Sequence, residues 1–255
     1  MTFPFAFHIF GHEIYLHFFA EFLAFFLGYR CYVWEKKRFP DFVDSTNRLY
    51  AILGAAIGAL VGSRLIGSLE NPEIFLSGNL LNIFQSKTII GGIFGGLIGV
   101  EITKKIIGEK TSTGDLFILP LILGIAIGRI GCFSMGVFEF TYGNPTDFFL
   151  GMNLGDSIKR HPTSLYEIIF LAALFPIFYS ALKKQKFRNG VLFKIFMLAY
   201  FGFRFLIEFI KPNEFYVLGL SVIQWVCVIC WVYYAKFILS LIINPKKRSK
   251  SLKIN

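Results

Sequence analysis

Seven stretches of this chain are apolar over nearly their whole length: about 14–34, 49–69, 88–103, 113–135, 163–182, 190–210 and 217–243. At 1.5 Å of rise per residue, about 20 such residues cross a hydrocarbon layer roughly 30 Å thick. A backbone in lipid has no water to bond with, so each stretch reads as a helix that satisfies its own hydrogen bonds. The third is short for a full span and reads as tilted or partly re-entrant, which makes six spans the alternative to seven. Of the 255 residues, 55% are hydrophobic and 16% are charged, against about 25% charged in a soluble domain. The expected fold class is an all-α integral membrane protein with about seven transmembrane helices, residues 1–255 forming a single polytopic domain. The first apolar stretch is not preceded by a basic region or followed by a small-residue cleavage site, so it is expected to be retained.

The net charge of +10 does not describe a nucleic-acid groove, because the basic residues sit in short clusters between apolar runs. Lys36-Lys37-Arg38 follows the first stretch, Lys104-Lys105 the third, residues 183–188 the fifth and Lys246-Lys247-Arg248 the seventh. The connections after the second, fourth and sixth are poorer in lysine and arginine. By the positive-inside rule the N-terminus lies outside and the C-terminus in the cytoplasm. The irregular stretch 136–162, rich in turn formers and aromatics, is then an ordered extracytoplasmic loop. Glycine recurs every fourth residue at Gly54, Gly58 and Gly62, at Gly91, Gly95 and Gly99, and at Gly124 and Gly128. Such stripes let helix backbones approach closely.

Two arginines interrupt the apolar pattern: Arg129 in GRIGCF (128–133) and Arg204 in YFGFRFLIEF (200–209). A guanidinium keeps its proton, and placing one near a bilayer core costs roughly 2.5–3.5 kcal/mol even on the lenient insertion scale. The functional reading is a site for an anion, in lipid a phosphate headgroup. The structural reading has the two arginines snorkelling, or paired with Glu139 and Glu208. Arg204 and Glu208 are four apart and share a helix face, so a pair there would orient the guanidinium. His161, just before Pro162 where a helix should begin, is the group best suited to trade a proton near neutral pH; Tyr166 and Glu167 follow it closely. Glu21, a carboxylate in the first helix, needs a partner, and Arg64 is a plausible one. Neither His8, His12 and Glu13 nor Cys227 and Cys230 makes a convincing metal set: the first lacks a third histidine, and the second pair sits within an apolar helix.

GRIGCF, TYGNPT (141–146), RHPTSLYE (160–167) and YFGFRFLIEFIKP (200–212), with GALVGSRL (58–65) and GGIFGGLIG (91–99) before them, resemble in order and spacing the signatures of the prolipoprotein diacylglyceryl transferase family. The resemblance covers most of the chain. It implies a multi-pass enzyme of the bacterial cytoplasmic (inner) membrane with seven helices. Such an enzyme moves the diacylglyceryl group of phosphatidylglycerol to the thiol of a lipobox cysteine in a preprolipoprotein signal peptide, forming a thioether and releasing glycerol phosphate. No metal or other cofactor is required by that scheme. By the resemblance, Arg129, Arg204 and Glu208 match the family's arginine and glutamate motifs; from the residues themselves, Arg64 and Tyr166 join the two arginines as candidates for the phospholipid phosphate, and His161 and Glu21 join Glu208 as candidates for proton transfer. The chain departs from the family pattern at three places. Phe94 stands where a histidine regarded as essential is usual, Cys132 where asparagine is usual, and Val137 where an acidic residue is usual, with Glu139 close by. These departures keep two other readings open, a transporter or flippase of an anionic lipid and a catalytically silent lipid-binding relative.

Overall fold

A computed structural model describes residues 3–9, 11–213 and 216–243. Its elements follow the apolar runs. A hairpin of β1 (Ala6–Ile9) and β2 (His12–Tyr15) leads into α1 (Leu16–Arg38), and α2 (Ser45–Glu70) follows. Two short helices, α3 (Pro72–Leu76) and α4 (Leu80–Gln85), precede α5 (Ile89–Ile107) and α6 (Ile118–Met135). The strand pair β3 (Met152–Asn153) and β4 (Lys159–Arg160) lies before α7 (Thr163–Lys184) and α8 (Val191–Ile207). A last pair, β5 (Tyr216–Val217) and β6 (Leu220–Ser221), precedes α9 (Val222–Tyr233) and α10 (Ala235–Ile243). Each apolar stretch read from the sequence therefore contains helix, and the third is one unbroken helix, α5. The cluster Lys246-Lys247-Arg248 lies outside the described residues.

The protein is a helical membrane protein. Among the described residues, three helical segments, 45–70, 115–138 and 163–184, are long and apolar enough to cross a bilayer. Helices α9 and α10 add a fourth crossing if the two, bent by 65° at a short break, act as one. Outward-facing side chains agree. Phe18, Phe22, Phe25, Phe26 and Tyr29 on α1, and Leu49, Leu53, Ile57, Leu60 and Val61 on α2, are exposed. Apolar surface of that extent suits acyl chains rather than water.

The described residues fall into two compact units. The first is drawn from 1–40, 116–184 and 209–212, the second from 41–115, 185–208 and 213–255. In the first, α1 packs along α6, and α6 against α7. In the second, α2 packs along α5, and α8 against α9. The N-cap Asp44 accepts the Thr46 N–H at 2.9 Å, and Ser221 with Gln224 closes a reciprocal capping box on α9. Helix α5 ends at Gly108, whose φ of +72° only glycine adopts cheaply. Arg48, buried at the start of α2, forms an ion pair with Asp41 and donates to the Thr113 carbonyl at 2.6 Å.

The glycine stripes at 54–62 and 91–99 face one another. A Cβ on Gly58 or Gly62 would run into the backbone of Gly95 or Gly91, and the reverse clashes hold. The third stripe differs from its sequence reading. Gly124 lies against Ala24, at 3.5 Å from where its Cβ would stand, but Gly128 faces open space. Gly131 makes the close approach instead: its Cβ would stand 2.8 Å from the Ala20 Cβ and 3.2 Å from the His17 Cα. The seam between α1 and α6 is thus tightest where His17 meets the end of α6.

Candidate active site

The N-terminal segment fixes that end of the seam. Phe5 N–H donates to the Ser134 carbonyl at 2.9 Å, and Leu16 N–H to the Phe5 carbonyl at 3.0 Å. The first turn of α1 is thereby tied to the last turn of α6, with the Phe3 ring edge-on to Phe133 at 5.7 Å. Past α6 the chain turns through Gly136, φ +59°, and Val137 N–H bonds the Leu154 carbonyl at 3.1 Å. This turn brings Glu139 back over the helix end.

A polar cluster results inside the first unit. Arg129, buried on α6, places Nε 3.0 Å from Oε2 of Glu167 on α7, itself fully buried. Arg129 Nη1 also lies 3.8 Å from Cys132 Sγ, and that thiol lies 3.7 Å from Glu139 Oε1. Glu139 Oε2 stands 3.1 Å from His17 Nδ1, while His17 Nε2 stands 3.2 Å from Glu21 Oε1 one turn further along α1. A narrow crevice with room for about one water lies beside Cys132, lined also by Phe133, Thr141, Tyr142, Leu154 and Ser164.

The 136–162 segment is ordered and stitched to its neighbours. Thr163 and Ser164 hydroxyls donate to the Thr141 carbonyl, at 2.5 and 3.0 Å, and Asn144 N–H donates to the Ile210 carbonyl at 2.7 Å. Arg160 donates to Asp156 at 2.6 Å and stacks over Tyr142 at 5.1 Å. Burial lifts the Asp156 carboxyl, but hydrogen bonds from Arg160 and the Ile158 N–H outweigh it and hold the group below its ordinary range. His161 sits in the same weave. Its Nδ1 lies 3.0 Å from the Tyr166 hydroxyl, and its backbone exchanges bonds with Gly143 and Asn144.

In the second unit Arg204 donates through Nη2 to Glu208 Oε1 at 2.7 Å, and both are buried. This is the four-residue pair that the spacing predicts. Arg64 stacks its guanidinium over the Phe84 ring at 4.7 Å. Phe94 lies 6.4 Å from the Phe201 ring and lines a groove of about 260 Å³ with Leu97, Ile98, Glu101, Lys105 and Tyr233. Cys227 and Cys230 are fully buried in α9, as packing residues would be. His8 faces Glu13 across the hairpin at 3.1 Å, on the surface.

Two pairings differ from those considered in the sequence. The described carboxylate on Arg129 is Glu167, whereas Glu139 meets His17 and Cys132. Glu21 meets His17 rather than only awaiting Arg64. His17 carried no sequence signal beyond its place in the first helix. The hairpin and the Gly131 approach that aim it are tertiary features, though Gly11 between two short alternating runs marked the turn.

Helices of membrane grade with arginine–carboxylate pairs buried among them define a class, a helical membrane protein with paired charges in its interior. The particular family follows from similarity. The family model described as prolipoprotein diacylglyceryl transferase matches residues 4–240, and the chain belongs to that family. Among curated relatives, the phosphatidylglycerol–prolipoprotein diacylglyceryl transferase of Bordetella parapertussis is 35% identical over 196 residues, covering 70% of each chain. The protein of the same name from Polynucleobacter necessarius is 32% identical over 249 residues, covering 88% of this chain and 87% of its own. That from Finegoldia magna is 29% identical over 228 residues, covering 88% and 89%.

Proposed function

We propose that the protein transfers the diacylglyceryl group of phosphatidylglycerol to the thiol of a lipobox cysteine in a preprolipoprotein, as a multi-pass enzyme of the bacterial inner membrane. Seven spans, with the N-terminus outside and the C-terminus in the cytoplasm, put the 136–162 segment and the acceptor on the outer face. The observation that carries the reading is the pair of braced guanidiniums, Arg129 on Glu167 and Arg204 on Glu208, in a chain of this family. Family membership favours transfer over transport.

The chemistry needs two things from the chain. A sulfur–carbon bond forms at the glycerol carbon while the carbon–oxygen bond to phosphate breaks, its electron pair leaving on the phosphate oxygen of glycerol phosphate. A guanidinium already fixed by a carboxylate can stabilise charge on such an oxygen without reorganising, more in the transition state than in the ground state. The thiol, with an ordinary pKa of about 8.5, must also lose its proton to become a good nucleophile. Phe94 cannot accept it. His161 with Tyr166 and Glu21 with His17 are the proton-transfer groups supported by geometry.

Mass spectrometry on the purified protein in detergent, with phosphatidylglycerol and a synthetic lipobox peptide, tests this. The expected result is a peptide mass gain of one diacylglyceryl group, absent when the peptide cysteine is serine. Removal of either arginine should lower the rate by roughly 10²–10³-fold. No gain from folded protein that binds the lipid would sink the reading.

A further inference from the structure

Three side chains of different chemistry converge where α1 meets the end of α6: the His17 imidazole, the Cys132 thiol and the Glu139 carboxylate. Their ligand atoms lie within 4.8 Å of one another. Zinc-class bonds of about 2.0–2.1 Å to nitrogen, 2.0–2.2 Å to oxygen and 2.3 Å to sulfur, at tetrahedral angles, put nitrogen and oxygen about 3.4 Å apart and sulfur and oxygen about 3.6 Å apart. The separations here are 3.1 Å from His17 Nδ1 to Glu139 Oε2 and 3.7 Å from Cys132 Sγ to Glu139 Oε1, so the two carboxylate oxygens of Glu139 each face one of the other ligands. The His17 Nδ1 is shielded from solvent, and despite its nearness to Glu139 it is not aligned for a hydrogen bond.

The surroundings have the form of a metal site's outer shell. A metal-bound histidine is usually held through its second nitrogen by a carboxylate, which fixes the tautomer. Glu21, 3.2 Å from His17 Nε2, stands in that position. Charge also balances: a thiolate and a carboxylate offset a divalent ion, and Arg129 is already met by Glu167 at 3.0 Å. Three protein ligands leave a fourth position open, the arrangement of a catalytic rather than a structural zinc site. Cys132 lines a narrow crevice.

We propose that His17, Cys132 and Glu139 bind a zinc-class divalent ion whose fourth position takes the acceptor thiol as a thiolate; the second half of this inference rests on the transferase reading. A thiol that coordinates such an ion is deprotonated. Its proton leaves on the water it displaces, and the sulfur keeps a lone pair for the glycerol carbon. The step needs no histidine at position 94. With the metal in place Glu21 takes no proton itself but positions His17, in place of the proton-transfer role its pairing with His17 would otherwise give it.

The test separates the site from the reaction. Elemental analysis of the detergent-purified chain should find stoichiometric zinc. Cobalt(II) added to the metal-stripped protein should give thiolate-to-cobalt charge transfer and tetrahedral ligand-field bands. Cys132→Ser should lose the charge-transfer band, and Glu21→Gln should weaken cobalt binding about 10–100-fold. Adding a lipobox peptide should strengthen the charge-transfer band, and its serine analogue should not. Folded wild-type protein that retains no zinc and gives no cobalt spectrum overturns the site, and this readout does not depend on any variant folding. A cobalt spectrum that the thiol peptide leaves unchanged overturns the fourth-ligand role. Transfer that proceeds at full rate after chelation overturns the metal's part while leaving the transferase reading intact. Metal bound with no transfer of any lipid removes the transferase reading and leaves the site.

Discussion

In the second unit the glycines of α2 and α5 interlock so closely that no Cβ fits at Gly58, Gly62, Gly91 or Gly95, and the buried arginine finds its carboxylate one turn along its own helix. In the first unit the seam between α1 and α6 closes at Gly131 but leaves Gly128 open, and the buried arginine finds its carboxylate on another helix. The difference separates two uses of the same ingredients. Small residues spaced by four bring backbones together and exclude everything else. In the first unit the close approach at Gly131 brings His17 to the end of α6, where it meets Cys132 and Glu139. The second unit is built from local rules, and the first assembles a cluster that no local rule specifies.

The largest effect should come from removing the cross-helix carboxylate. Glu167→Ala leaves Arg129 buried against an empty partner site, at a cost of about 3–5 kcal/mol, read as a loss of thermal stability in detergent. Replacing both partners, Arg129→Met with Glu167→Leu, should recover most of that stability because two apolar side chains need no pairing. It should not restore transfer. Recovery of both would show that the pair is structural only and would erase the contrast between the units.

Packing gives the next test. Gly58→Leu in the interlocked seam should destabilise by about 1–3 kcal/mol through overpacking, whereas Gly128→Ala should stay within about 0.5 kcal/mol of wild type, as a substitution away from contacts does. Equal losses at the two positions, measured by thermal unfolding, would contradict the difference between the seams.

The smallest effect lies at the exposed end of α5. The Thr111 N–H and Asn47 hold the Glu109 carboxyl down at about 2. The folded value is below the unfolded one of about 4.5, so the contribution is present above that value and fades as pH falls toward 2. In Glu109→Gln the unfolding temperature should lose a small part of its acid sensitivity between those limits. An unchanged profile would show that solvent screens the carboxyl despite its hydrogen bonds.

Much of this molecule is legible without coordinates. Apolar length alone produced the helices, because a backbone in lipid has one economical way to satisfy itself. The four-residue spacing of Arg204 and Glu208 put the pair on one helix face, and the glycine repeats at 54–62 and 91–99 marked the seam that α2 and α5 form. Only the tertiary structure decided that Arg129 meets Glu167, that Gly131 rather than Gly128 makes the close approach, and that His17, Cys132 and Glu139 come together. The reason is range. Helical period and hydrophobicity act over a few residues and can be read in order, whereas these contacts join groups on different elements. The N-terminal segment tied to Ser134, the turn at Gly136 and the packing of α6 on α7 bring them into reach.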